Sequence, residues 1–330
     1  MAFIAADFKA PWWLRSPHAQ TLGARLLRRR KPQGIRRERV TTPDDDFLDL
    51  DFSGDFTDPR AIVLLLHGLE GSALRGYALN VYHELQQHGI PAVGLNFRSC
   101  SGELNRAGRL YHSGETEDTR FVLSLLHERY PKAVFGAIGF SLGGNALLKY
   151  LGEEGDAVKL KCAVAVSVPY DLGAGADYLD QSVMGRFYAR LFVEALIEKT
   201  RKKAELIAGS CDFMRGMRAE SFRQFDDAIT APLHGFTNAD DYYERSSSAQ
   251  FLPRIRIPTL LLHSEDDPFL PRTSIPYANM KANPQLKAII TDSGGHVGFI
   301  HGSPLKPQFW AEATAARFLA ECLQRHARAL

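Results

Sequence analysis

The chain of 330 residues has only four cysteines, Cys100, Cys162, Cys211 and Cys322, and none sits in a C-x-x-C pair. Thiols so scattered are expected to stay reduced, which argues against a disulfide framework and against a zinc site. No stretch approaches the roughly 18 consecutive apolar residues of a membrane-spanning helix. Asp7 and Lys9 interrupt the first residues, so no cleaved signal peptide is expected and a cytoplasmic location follows. The net charge is only +2, so a polyanionic partner such as nucleic acid is not expected. Internal repeats and low-complexity segments are also lacking. Asp44-Asp45-Asp46 has no histidine or further acid at ligand spacing, and reads as a solvated hairpin turn. Neither a metal nor an organic cofactor is expected.

What remains is ordinary globular composition, 45% hydrophobic and 24% charged. The length suits one large α/β domain or two small ones. The stretch that organises it is Gly139-Phe140-Ser141-Leu142-Gly143. Before it, 132–138 is an apolar run of strand character; after it, 145–151 has helical character. A serine on a sharp strand-to-helix turn, with glycine two residues to either side, is a nucleophile elbow. Cβ atoms at 139 and 143 would collide with the neighbouring strand and helix. The following helix points its N–H groups, with their partial positive charge, toward the serine.

Along the chain, residues 1–36 read as an N-terminal arm packed on the core by Trp12 and Trp13. The basic cluster 25–31 reads as a solvated helix end, with contact to anionic lipid headgroups as the alternative. His18 reads as a packed or hydrogen-bonded histidine. Residues 37–53 predict a β-hairpin. From residue 61 buried strands (62–66, 90–97, 132–138, 162–168) alternate with helices (77–85, 115–130), the rhythm of a mostly parallel sheet flanked by helices. It breaks at 171–250, which is aromatic, charged and helix-like, then resumes with strands at 257–263 and 286–291 and a closing helix at 307–330. The organisation predicted is an α/β core of 37–170 and 251–330 with a helical cap of 171–250 inserted in it.

A serine hydroxyl needs a general base, and that base needs an acid to fix its tautomer. In the chain order Ser, acid, His, the histidine belongs in the loop after the last strand. His296, within Gly294-Gly295-His296-Val297-Gly298, follows strand 286–291 directly and is preferred to His301; His326 lies on the closing helix. For the acid, Asp267 follows strand 257–263 and precedes Pro268. Asp266 and Asp171 are the alternatives, each also readable as a turn residue. The oxyanion donors predicted are the backbone N–H groups of Leu142, after the nucleophile, and Leu69, in the loop after strand 62–66.

Several motifs together resemble the YheT-like branch of the α/β-hydrolase superfamily, over nearly the whole chain. They are His67-Gly68-Leu69-Glu70-Gly71-Ser72, Asn96-Phe97-Arg98-Ser99-Cys100-Ser101-Gly102-Glu103, Tyr111-His112-Ser113-Gly114, Gly139 to Asn145, Phe225-Asp226-Asp227, Asp241-Tyr242-Tyr243, and Gly294 to Phe299. Ser99 departs from the glycine expected there. The resemblance implies the α/β-hydrolase fold, esterase or lipase-like activity, and a charge relay at Ser141, Asp267 and His296. The activity expected is hydrolysis of small-molecule acyl esters through an acyl-enzyme. Acyl transfer to an alcohol or lipid acceptor is the first alternative, and a non-catalytic binding role the second. The apolar stripe Phe187, Tyr188, Leu191, Phe192 and Leu196, with Phe213, Phe222 and Phe225 further on, is expected to wall the acyl site and to favour short-to-medium chains.

Overall fold

Alternation of side chains across each strand dictates the layers of the molecule. In the computed structural model, which describes residues 2–328, eight strands form one sheet. They are β1 (Ile35–Thr41), β2 (Phe47–Ser53), β3 (Ala61–Leu66), β4 (Ala92–Asn96), β5 (Val134–Phe140), β6 (Cys162–Val166), β7 (Thr259–Ser264) and β8 (Leu286–Thr291). Their order is β1-β2-β4-β3-β5-β6-β7-β8, parallel from β4 onward, with β1 and β2 antiparallel. On β3, Ile62, Leu64 and Leu66 enter one core cluster while Val63 and Leu65 enter the other, and β5 alternates the same way. A sheet buried on both faces needs such continuous apolar runs.

Helices cover both faces. Following α1 (Pro17–Leu27) in the arm, α2 (Gly76–Gln87), α3 (Glu117–Arg129) and α4 (Leu142–Glu154) connect the parallel strands. Leu79, Val81 and Leu85 of α2 join one cluster, and Val122 of α3 and Leu147 of α4 join the other. Between β6 and β7 lie α5 (Leu172–Asp180), α6 (Val183–Lys202), several short turns including a π-turn at Asp226–Thr230, and α7 (Ala239–Ser246). These helices pack in small clusters of their own, around Val193 and Ile229 and around Tyr242 and Tyr243. After β7 come α8 (Tyr277–Ala282), β8, and α9 (Trp310–Ala327).

Three local expectations change. Residues 300–309 form a hairpin, β9 (Ile300–Ser303) with β10 (Lys306–Phe309), and the closing helix begins only at Trp310; Pro307 sits in the hairpin opposite Gly302. The Asp44-Asp45-Asp46 turn is not solvated throughout. Asp46 is wholly buried, and it and Asp44 pair with Arg98 at 2.9 and 2.7 Å, while Asp118 closes on the same guanidinium. The side chain of Arg28, in the basic cluster, is buried as well, in an ion pair with Glu312 at 2.7 Å. Ser99 adopts φ 63°, the left-handed region that favours glycine, and its hydroxyl pays for the conformation by bonding Asn105 Oδ1 at 2.6 Å.

Candidate active site

The elbow works by close approach. A Cβ at Gly139 would meet the Gly143 carbonyl, and one at Gly143 would meet the Leu66 and His67 carbonyl oxygens at the end of β3. Only glycine lets the turn pass between β3 and α4. Ser141 itself is held at φ 51°, ψ −118°, and its N–H donates to the Val166 carbonyl at 2.8 Å. A non-glycine residue with positive φ stores strain that the surroundings must impose.

The structure brings Ser141, His296 and Asp267 together. His296 Nε2 lies 2.9 Å from Ser141 Oγ, and His296 Nδ1 lies 2.8 Å from Asp267 Oδ2. Asp267, 2% exposed, also accepts the Phe269 N–H at 2.9 Å. An ionised carboxylate only accepts, so Nδ1 carries the hydrogen and Nε2 presents its lone pair to the serine. Phe269 stacks on the imidazole at 4.4 Å between centroids, fixing its plane.

The alternatives fall elsewhere. Asp266 accepts the Gly295 N–H at 2.9 Å and so braces the loop that carries His296. Asp171 caps α5 by accepting the Ala174 N–H. His301 lies in β9 against Phe8, and His326 bonds the Cys322 carbonyl.

Leu142 opens α4 and Leu69 lies in the loop after β3. A Cβ at Gly68 would stand 3.3 Å from Ser141 Cβ, so that loop lies directly against the serine. The N–H groups on either side of Leu69 are taken: Gly68 donates to Tyr77 Oη at 3.0 Å and Glu70 to Tyr111 Oη at 2.7 Å, while Gly71 donates to the Gly68 carbonyl at 3.0 Å. The Leu69 N–H has no such partner among the described residues. Buried His67 anchors the loop, donating from Nδ1 to the Gly68 carbonyl at 2.7 Å and accepting the Phe97 N–H at Nε2. Burial lowers its pKa to about 4, so it stays the neutral tautomer those two bonds require. Tyr111 also donates to Glu70 Oε1, and Lys199 of α6 pairs with that carboxylate at 2.6 Å.

Residues of the arm hold the histidine loop, a role the sequence did not reveal. Gly295, Val297 and Phe299 all have positive φ. Thr21 Oγ1 accepts the His296 N–H at 2.9 Å, Gln20 bonds both the N–H and the carbonyl of Ile300, and Arg28 donates to the Val297 carbonyl at 2.8 Å. His18 Nδ1 meets Tyr188 Oη at 3.0 Å, joining the arm to α6.

Above Ser141 lies a cavity of about 840 Å³, lined by Leu172, Ala176, Leu179, Leu191, Phe192 and Phe222 among others. Of the aromatic and leucine stripe on α6, Tyr188, Leu191 and Phe192 reach it. Phe187 is half exposed, and Leu196 does not line the cavity but packs with Val193 and Phe225. The two distant motifs 225–227 and 241–243 meet beside the cavity, where Tyr243 Oη donates to Asp226 Oδ2 at 2.8 Å. Asp226 is buried at the edge of the cavity, and burial raises its pKa to about 6 despite the Tyr243 and Thr230 hydroxyls.

Comparison with known proteins gives the family. A family profile described as "alpha/beta hydrolase fold" matches residues 61–303. The chain belongs to the α/β-hydrolase family. Within it, the chain is 38% identical to a protein of Escherichia coli (strain K12) named "Putative esterase YheT", over 93% of this chain and 91% of that one. It is 34% identical to a monoacylglycerol lipase of Saccharomyces cerevisiae, covering 80% of this chain and 59% of the yeast protein. It is 32% identical to human phospholipase ABHD3, covering 88% and 73%. Among solved structures, an esterase of Pyrococcus furiosus superposes with a TM-score of 0.59 at 19% identity, over 97% of this chain and 98% of that one, a likeness of fold. The YheT-like resemblance and the α/β-hydrolase fold expected from the motifs therefore hold. No helix among the described residues of this α/β hydrolase is long and apolar enough to cross a membrane.

Proposed function

We propose that this α/β hydrolase is a serine carboxylic-ester hydrolase acting on short-to-medium-chain acyl esters. The observation that carries the reading is the continuous relay from Asp267 through His296 to Ser141 at the base of an apolar cavity. Ser141 Oγ attacks the ester carbonyl as His296 Nε2 takes its proton, and Asp267 stabilises the imidazolium that forms. The N–H groups of Leu69 and Leu142 receive the oxyanion. Such a donor is typically worth about 3 kcal/mol in the transition state. His296 then returns the proton to the departing alcohol, and water hydrolyses the acyl-enzyme.

The relatives named as esterase, lipase and phospholipase support ester chemistry. We read 171–250 as the cap over the core formed by 37–170 and 251–330, with 1–36 as the arm packed on it, in a protein of the cytoplasm. The decisive experiment is labelling by a fluorophosphonate probe, with turnover of p-nitrophenyl butyrate. The native protein should label and turn over the ester, and Ser141→Ala should do neither. Labelling that persists in Ser141→Ala overturns the assignment of the nucleophile.

A further inference from the structure

The cavity over Ser141 is bordered by α1, through Leu22 and Arg25, and by α6, through Tyr188 and Leu191. Beside it, both helices turn large apolar side chains to solvent. Leu22 and Leu26 stand one turn apart on α1, and Val183, Phe187 and Leu191 repeat at four-residue spacing on α6. Leu26 is 72% exposed, Val183 75% and Phe187 49%. Apolar side chains gathered around a cavity mouth mark a surface that meets something.

Around the α1 side chains the charge of the segment has one sign. Residues 8–37 hold nine Lys and Arg and no Asp or Glu, in a chain of net charge +2, which leaves the rest of the protein at −7. Arg28, Arg36 and Arg37 are engaged in ion pairs. Arg15, Arg25, Arg29, Arg30 and Lys31 take no ion pair among the described residues, and all five are exposed.

We propose that the face formed by α1, the basic segment after it and the outer side of α6 docks on an anionic lipid bilayer. Leucine and phenylalanine side chains would enter the headgroup boundary, and the arginines and lysine beside them would meet acidic headgroups. That pairing of an apolar stripe with flanking cations is what holds an interfacial helix in place. The attraction to acidic lipid is electrostatic and falls off within a Debye length, about 8 Å at physiological salt. The bilayer is favoured over a protein partner because the cavity opens among the same side chains. An acyl chain could then pass from the lipid into the cavity along an apolar path. This last step rests on the ester-hydrolase reading, whereas the docking itself does not.

The test is co-sedimentation of the full chain with phosphatidylcholine vesicles, with and without about one-third phosphatidylglycerol. The native protein should bind the anionic vesicles, bind neutral ones weakly, and release at high salt. Arg29→Glu/Lys31→Glu and, separately, Leu26→Glu/Phe187→Glu should each weaken binding about tenfold or more. None of these four side chains lines the cavity, so turnover of soluble p-nitrophenyl butyrate should stay within about twofold, which also reports folding. Equal binding to both vesicle types, or charge-reversed protein that binds as well as native, overturns the proposal. So does a Leu26→Glu/Phe187→Glu protein that changes from dimer to monomer on size exclusion with vesicle binding unaltered. Binding is read without turnover, so a mistaken Ser141 assignment and a mistaken docking face give separate failures.

Discussion

Replacing Arg28 by methionine would test how the arm supports the core. The guanidinium donates to Glu312 at 2.7 Å, with side-chain exposures of 5% and 0%, and a second nitrogen reaches the Val297 carbonyl at 2.8 Å. Glu312 has little else: Asn80 Nδ2 stands at 3.5 Å from Oε1, and Oε2 has no partner. Removing one member of a buried pair costs about 3–5 kcal/mol because the other charge is stranded, whereas replacing both by apolar groups is often neutral. Arg28→Met should therefore lower the unfolding free energy by about 3–5 kcal/mol in urea, and Glu312→Leu added to it should recover most of that loss. Activity should not recover with stability. The double variant still lacks the donor to Val297, next to His296, so kcat for p-nitrophenyl butyrate should stay depressed in it. A single variant costing under about 1 kcal/mol would show that the pair is solvated and the reasoning wrong.

Asp226→Asn should reveal the cost of the buried carboxyl. Its pKa is raised from 3.8 to about 6, so between those values the unfolded chain ionises and the native one does not, and stability falls as pH rises. Native protein should lose about 2 kcal/mol relative to Asp226→Asn from pH 4 to pH 6, read by urea unfolding; a pH-independent difference would refute this. Tyr111→Phe removes the acceptor of the Glu70 N–H beside Leu69 and should lower kcat about tenfold with KM little changed. Steady-state kinetics that move only KM would count against an oxyanion role for that loop. Ala195→Trp, on the cavity wall, should move the optimum of a p-nitrophenyl ester series to shorter acyl chains, each lost methylene contact being worth about 0.8 kcal/mol. An unmoved optimum would place the acyl site elsewhere.

The parallel core was legible because its signals are local and steric. Gly139 and Gly143 are dictated by backbone approach within a few residues of Ser141, and the strands buried on both faces read as unbroken apolar runs. Chain order then narrowed the histidine and the acid to loops following particular strands, and His296 does lie within hydrogen-bond reach of both Asp267 and Ser141. Less legible were side chains paired across long separations. Asp46 and Asp118 look like surface acids until Arg98 is placed between them. On α6, helical spacing identified an apolar stripe but could not say which side of it faces the cavity, since Tyr188 and Leu196 are both buried and only the first lines it.

The arm was the hardest segment to read, and the reason is chemical. Gln20, Thr21 and Arg28 act on main-chain atoms of residues 296–300, and main-chain atoms leave no side-chain pattern in a sequence. A polar residue that binds backbone looks the same on paper as one that binds water. The loop it serves needs that help: Val297, β-branched, is held at φ 53°, and nothing local to the loop favours that conformation. Ser167 Oγ takes the Val297 N–H at 3.0 Å while Arg28 takes its carbonyl, so the residue after His296 is gripped from both sides. The arm and the end of β6 thus impose on the loop the geometry that aims His296 at Ser141. A basic segment that seemed only solvated therefore has two faces, one buried against the histidine loop through Arg28 and one exposed through Arg25, Arg29, Arg30 and Lys31.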